Sequence, residues 1–356
     1  MTRQSRAFGA ALFFSTMAAT AAYADTSPVA MDHAPIGVMA DHMHEQGEFM
    51  LSYRYMYMAM EDNRIGTDNV TPEFIVSNVP NRTGMPPTLR VVPTEMTMQM
   101  HMIGLMYAPT DWLTLMGMGM IVTKEMDHIT FAGPSGTTQL GTFETESAGI
   151  GDTSVSGLIR LTQEEHLNSH LKIGLSLPTG SIEREDEPLT PMNTRPTLRL
   201  PYAMQLGSGT FDLLPGFTIS NRTHDGKFGG GAQYEGVIRL DENDEGYALG
   251  DRHKVTGWVQ YAPDPSLALS LRLAAESIDK IEGFDPLIGA PIQTANPDFY
   301  GGDIVEAGAG VTFLVPDGQF KGYRFAGEVM VPLSRDLNGP QLETDLTFTF
   351  GIQKAW

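Results

Sequence analysis

Long runs in which apolar and polar residues alternate one by one constrain this chain most. In Leu267 to Leu273 every odd-numbered residue is leucine, with smaller or polar residues between them. The last residues alternate in the same way, from Leu346 to an aromatic end at Trp356. Period-two alternation predicts β-strands with one apolar face, and the runs reach the roughly 9–11 residues that a strand needs to cross a bilayer.

Twelve such runs are predicted along the chain. They cover residues 47–61, 93–108, 111–126, 151–162, 168–178, 203–222, 227–240, 253–263, 266–279, 303–315, 322–333 and 342–356, with 203–222 taken as one kinked strand. Short turn-like links then alternate with longer polar ones, as in bacterial outer-membrane barrels with an even strand number. The predicted fold is all-β: a transmembrane antiparallel β-barrel of about 12 strands, of outer-membrane type.

The first residues have the features of a secretory signal peptide. Arg3 and Arg6 precede a short apolar stretch, and Ala22 to Ala24 is a small-x-small cleavage site. The apolar stretch is too short to span a bilayer, so cleavage and export are predicted. We therefore divide the chain into a signal peptide (1–24), a Met/His-rich periplasmic lead-in or plug (25–46) and an integral outer-membrane barrel (47–356).

Composition excludes several function classes. The chain has no cysteine and a formal net charge of −20, which argue against thiol chemistry and against a nucleic-acid partner. The sequence has no nucleophile elbow and no carboxylate pair suited to acid–base catalysis, so an enzyme is not predicted. Outer-membrane lipid, lipopolysaccharide and the barrel-assembly machinery are the expected partners, together with a small-molecule solute.

Two motifs in the middle of the chain resemble a known family. Gly149 to Asp152 (Gly-Ile-Gly-Asp) opens one strand, Leu177 to Gly180 (Leu-Pro-Thr-Gly) closes the next, and Gln205 to Asp212 follows. Residues 145 to 356 resemble the outer-membrane transporter family of the "MetA-pathway of phenol degradation" type. Asp32 to Gly37 and Asp41 to His44 resemble a Met/His-rich subgroup of that family. The resemblance implies a transporter barrel, loosely related to fatty-acid and aromatic-hydrocarbon channels, and transfers no catalytic residue.

Methionine is concentrated in the first third of the chain, where 17 of the 22 methionines lie between Met31 and Met126. Three alternating stripes are visible. Two share a face with polar residues and are predicted to line the lumen, namely Met50, Met56, Met58 and Met60 beside Arg54, and Met116, Met118 and Met120 beside Thr114 and Lys124. The third, Met96, Met98, Met100, Met102 and Met106, lies opposite Glu95, Thr97, Gln99 and His101 and is predicted to face lipid. Thioethers suit Cu(I), but they also form an adaptable apolar lining, and one lipid-facing stripe favours the lining.

The lead-in carries the candidate metal ligands. His33, Met39, His42, Met43 and His44 combine imidazole and thioether donors, which bind copper. Their spacing follows no strict metal motif, so a plug or gating segment is the favoured interpretation.

The predicted function is an outer-membrane channel or transporter that passes small hydrophobic or amphipathic solutes by passive diffusion. No cofactor is expected, and a copper-binding or copper-resistance protein of the cell envelope is the alternative. Charge and pore width set selectivity in such channels. The candidate lumen residues are Arg54, Glu235, Arg272, Glu306, Arg324 and Glu328.

Overall fold

The structure is a computed structural model and describes residues 29–164 and 166–356; the predicted signal peptide lies outside this part. Its strands are β1 (Phe49–Gly66), β2 (Asp68–Val70), β3 (Val91–Thr110), β4 (Leu113–Phe131), β5 (Gln139–Ile150), β6 (Thr153–Gln163), β7 (Leu167–Leu177), β8 (Glu185–Asp186), β9 (Leu198–Arg199), β10 (Asp212–Arg222), β11 (Phe228–Arg239), β12 (Tyr247–Ala248), β13 (Arg252–Asp264), β14 (Leu267–Ile278), β15 (Glu282–Gly283), β16 (Gly302–Leu314) and β17 (Tyr323–Ala355). Helix α1 (Pro72–Asn78) and the short 3-10 helices Ala30–Asp32, Tyr202–Met204, Gln293–Ala295 and Pro297–Phe299 lie between them. Among the described residues, no helix has the length and apolar character to span a membrane.

The long strands pair antiparallel in a closed ring. Its order is β1, β3, β4, β6, β7, β10, β11, β13, β14, β16 and β17, and β17 pairs back onto β1. β17 also folds back on itself: its two arms are close enough that Arg335 Nη2 donates to the Thr344 carbonyl oxygen at 2.7 Å. Within the described chain the ring has eleven strands, or twelve when the two arms of β17 are counted separately. The predicted all-β barrel of about twelve strands is confirmed, with β2 and β5 outside the ring.

One predicted strand was wrong, and one strand was missed. Residues 203–222 are not one strand, since β10 begins only at Asp212 and Met204 ends a 3-10 helix. Met204 lies on a loop, and its fully buried side chain packs in a cluster with Met96 of β3 and Met126 of β4. β5 was missed because its exposed face carries Glu144 and Glu146, so no apolar face marks it as a strand.

In most strands, polar side chains face the inside of the barrel and apolar side chains face out. In β14, Leu271 is 62% exposed, whereas its neighbour Arg272 is only 8% exposed. Exposed aromatic residues form a girdle near one rim of the barrel, namely Phe49, Tyr107, Trp112, Phe228, Tyr261, Phe313 and Trp356. An apolar outer band with an aromatic girdle is typical of a barrel that sits in a bilayer.

The two ends of the barrel differ. Short turns join the strands at the girdle end, which we call the short-turn end, and the Phe49 N–H donates to the Trp356 carbonyl there at 3.0 Å. Longer connections, including 67–90, 178–211 and 279–301, lie at the opposite, long-loop end. Outer-membrane barrels place their short turns in the periplasm, so this topology puts both ends of the barrel domain on that side.

Candidate functional site

Residues 29–48, the N-terminal segment, lie against the inward side chains near the short-turn end. Barrel side chains from five strands donate hydrogen bonds to its backbone carbonyl oxygens. The pairs are Arg324 to Val29 (2.9 Å), Gln260 to His33 (2.8 Å), Gln233 to Met39 (2.7 Å), His170 to Ala40 (2.8 Å) and Arg160 to His44 (2.9 Å). The segment is therefore fixed mainly through its backbone, which leaves its own side chains available for other contacts.

Gly37 marks the closest approach of this segment to the barrel wall. Arg272 Nε and Nη2 donate to the two Glu328 carboxylate oxygens at 2.9 and 2.7 Å, and both side chains are buried. A Cβ atom at position 37 would overlap both charged groups. Any larger residue at position 37 would have to displace this buried ion pair.

The six predicted lumen residues all lie on inward strand faces, which they share with buried polar side chains. Glu235 accepts from Lys172 at 2.6 Å, and Glu306 lies 3.7 Å from Lys254. Arg54 is buried at 8% exposure. Arg272 and Glu328 bind each other, and Arg324 binds the N-terminal segment. The part of all six residues in selectivity remains a prediction.

Methionines from three adjacent strands form one inward surface, which we call the methionine wall. Its members are Met50, Met56, Met58 and Met60 of β1, Met96, Met98, Met100, Met102 and Met106 of β3, and Met116, Met118, Met120 and Met126 of β4. Directly opposed residues of an antiparallel pair share a face, and Met56 opposes Met100 while Met102 opposes Met120. The wall runs from the short-turn end to the long-loop end.

The predicted lipid-facing stripe on β3 was therefore wrong. Met96, Met102 and Met106 are buried inside the barrel, whereas His101 is exposed on the outside. The outward polar residues of β3 are satisfied at the surface, where the Tyr53 hydroxyl and His101 Nδ1 lie 2.8 Å apart. All three stripes line the interior, so a lipid-facing stripe no longer argues against a metal function.

Three histidines of the N-terminal segment meet inside the barrel. The ring centroids of His33 and His42 lie 3.8 Å apart, and those of His42 and His44 lie 4.9 Å apart. Asp41 Oδ1 contacts His42 Nδ1 at 2.9 Å, and Glu48 Oε2 contacts His44 Nδ1 at 3.2 Å. Neither carboxylate was predicted as part of the site, although the adjacent Asp41 and His42 could have indicated a carboxylate–histidine pair.

Burial lowers the pKa of two histidines of this cluster, His33 and His44. Burial, helped by the charge of Arg324, lowers the pKa of His33 well below 6.5. Burial and the neighbouring His42 lower the pKa of His44 to about 4. Both imidazoles are neutral at neutral pH, and neutral imidazole is the form that binds metals.

The two predicted methionine ligands contact the barrel. The carbonyl of Met39 accepts from Gln233, and the side chain of Met43 packs against the buried Met50 and Met106 of the methionine wall. The histidine cluster therefore adjoins the methionine wall through Met43.

The motifs behind the family resemblance meet at a loop anchor. Asp152 Oδ1 accepts from the Gly180 N–H at 2.9 Å, and its Oδ2 accepts from the Ser208 N–H at 2.8 Å. The backbones of Gly180 and Gly207 are so close that a Cβ on Gly180 would lie 2.7 Å from Gly207 Cα. These motif residues fix the 178–211 connection to the barrel rim.

Comparison with known proteins supports the fold. No family model and no curated protein matches the chain. The chain is similar in structure to an outer-membrane channel from Pseudomonas putida F1, with a TM-score of 0.57, 13% identity, and coverage of 90% of this chain and 99% of that one. A FadL homologue from Pseudomonas aeruginosa (TM-score 0.45, 7% identity, 86% and 90% coverage) and the NanC porin (TM-score 0.41, 7% identity, 85% and 98% coverage) are also similar. The likeness to the first protein shows an outer-membrane barrel fold.

Proposed function

We propose that this protein is an outer-membrane channel for small hydrophobic or amphipathic solutes, and that the N-terminal segment closes it at the periplasmic end. Solutes cross by passive diffusion once the segment moves. The observation that carries the proposal is the seating of residues 29–48 inside a barrel with an apolar outer band. The barrel would be exported, inserted by the assembly machinery and surrounded by lipid and lipopolysaccharide.

The interior supports this class of solute. The methionine wall covers three adjacent strands of the lumen, and thioether side chains are flexible and apolar, so they adapt to ligands of different shape. Charged pairs such as Lys172 with Glu235 lie on other inward faces. A lumen with one apolar wall and other polar walls suits solutes that have both an apolar and a polar part.

The attachment of the segment supports a gate. Each hydrogen bond from a barrel side chain contributes about 0.5–1.5 kcal/mol net, because water replaces it when the segment leaves. Apolar packing adds to this through Met31, Ala262 and Leu314 near the rim. A few such contacts hold the segment firmly without making its release prohibitive.

A reversible crosslink tests the gate. A Cβ added at Gly351 would lie 3.0 Å from Ile36 Cγ1, the atom that a cysteine sulfur at position 36 would replace. The chain has no native cysteine, so Ile36→Cys with Gly351→Cys forms a single possible disulfide between the segment and β17. Flux into proteoliposomes is measured with an amphipathic aromatic carboxylate and with a sugar of similar size.

We expect the oxidised pair to block flux and reduction to restore it, with the aromatic carboxylate passing faster than the sugar. Ile36→Cys alone is the control, and it should respond to neither oxidant nor reductant. Equal flux in the oxidised and reduced states would refute the gate. Absence of flux in every state, and also after deletion of residues 29–46, would refute the channel itself.

A further inference from the structure

The histidine cluster contains the atoms of a metal site in an arrangement that folding alone does not require. Within the described residues, His33 Nδ1, His42 Nε2 and His44 Nε2 are buried and have no hydrogen-bond partner. A buried polar atom without a partner costs free energy, so native structures rarely keep several together unless something binds them.

The carboxylates next to the cluster orient two of the rings. Asp41 and Glu48 each contact the Nδ1 atom of one histidine. The Nε2 atoms of His42 and His44 are thereby left with lone pairs that can bind a metal. A carboxylate on the second nitrogen is the usual support of a metal-bound imidazole, because it fixes the tautomer and strengthens the ligand.

The distances are close to those of a bound ion. Donor atoms of His33, Asp41 and His42 all lie within 4.8 Å of one another. Imidazole nitrogens sit about 2.0–2.1 Å from a bound transition metal, so two such donors are separated by at most about 4.2 Å. Side-chain movements of less than about an ångström would bring these three donors into contact with one ion. The ring of His44 lies beside them, with its centroid 4.9 Å from that of His42.

We infer that His33, His42 and His44 form a copper site inside the barrel, with Asp41 and Glu48 as supporting carboxylates. This inference goes beyond the channel function and does not depend on it.

Two features of the surroundings favour copper, and Cu(I) in particular. Met43 connects the cluster to Met50 and Met106 of the methionine wall, and thioethers are soft donors that suit Cu(I) and do not suit magnesium. The positive charges of Arg54 and Arg324 act on His33. A monovalent ion is repelled half as strongly as a divalent ion by these charges.

The test measures metal binding to the purified full-length barrel in detergent. Cu(I) is titrated under reducing conditions in competition with a chromogenic chelator, and zinc is titrated by calorimetry. We expect one tightly bound Cu(I) per chain and weaker zinc binding, with nitrogen donors visible by X-ray absorption. The combined variant His33→Ala, His42→Ala and His44→Ala should lose this site, whereas His101→Ala with His253→Ala removes two exterior imidazoles and should bind as the native chain does.

A milder variant keeps the inference testable if the alanine variant fails to fold, as judged by heat-modifiable migration. Asp41→Asn preserves volume and should weaken Cu(I) binding by about 10- to 100-fold, the usual effect of losing a supporting carboxylate. Native binding in the alanine variant, sulfur-only ligation, or tighter zinc than Cu(I) binding would overturn the inference. Solute flux of the metal-free protein is measured in parallel, so failure of the copper site and failure of the channel are separate results.

Discussion

A charge placed on the outer face of β14 tests whether the exposed leucines face lipid. Leu271 is 62% exposed and lies four residues after Leu267, where β14 begins. Four residues span ~14 Å along a strand. At a tilt of ~40° this corresponds to ~10 Å of depth, close to the middle of an apolar band ~25 Å tall. Leu271→Arg therefore places a charge near the centre of the bilayer.

The expected loss in the free energy of unfolding is about 2–4 kcal/mol, the cost of a basic side chain at the midplane. Leu161→Arg is the matched control, because Leu161 is 51% exposed and lies near the end of β6 at the short-turn rim. There the same substitution should cost only about 0–1 kcal/mol. The assay is urea unfolding in phospholipid vesicles, followed by tryptophan fluorescence. Equal costs at the two positions would refute the assignment of this surface to lipid.

Three further predictions concern the interior and the loop anchor. Glu328→Gln leaves Arg272 buried without its charge partner and should destabilise the barrel by about 3–5 kcal/mol, whereas replacing both residues by methionine should cost much less. Urea unfolding of the single and double variants measures the two losses in stability, and equal losses would contradict this prediction. Gly37→Leu should expel the N-terminal segment and raise solute flux in proteoliposomes, since a side chain there overlaps the ion pair; unchanged flux with a protease-resistant segment would speak against this. Asp152→Ala removes the acceptor for Gly180 and should make the 178–211 loop sensitive to limited proteolysis while the barrel remains intact, and native resistance would count against the anchor.

The sequence predicted the barrel because membrane strands repeat a simple alternation. Alternation did not predict which face of β3 points outward. The polar residues Gln99 and His101 of β3 lie on the outer face, where Tyr55 and Tyr53 hydroxyls bind them. Polarity alone could not assign that face, because tyrosine hydroxyls on the neighbouring strand satisfy these polar groups on the outer surface.

The candidate site was only partly predictable. The three histidines could be picked out because they lie close together in sequence and belong to a known ligand type. The barrel residues that hold the segment could not be predicted, since Gln233 and Gln260 are ordinary polar strand residues about 190 to 230 positions away along the chain. Met43 was a candidate metal ligand, and its packing against an apolar cluster that contains Met50 could not be predicted. Which residues meet inside a closed ring depends on strand order and register, which short-range patterns do not encode.

The way the barrel holds the N-terminal segment has a consequence for its evolution. The donors Arg160, His170, Gln233 and Gln260 bind carbonyl oxygens, and every amino acid carries a carbonyl oxygen. Most side chains of the segment can thus change without loss of the hydrogen bonds that hold it in the barrel. The same barrel is therefore compatible with inserted segments that carry different side chains into the lumen.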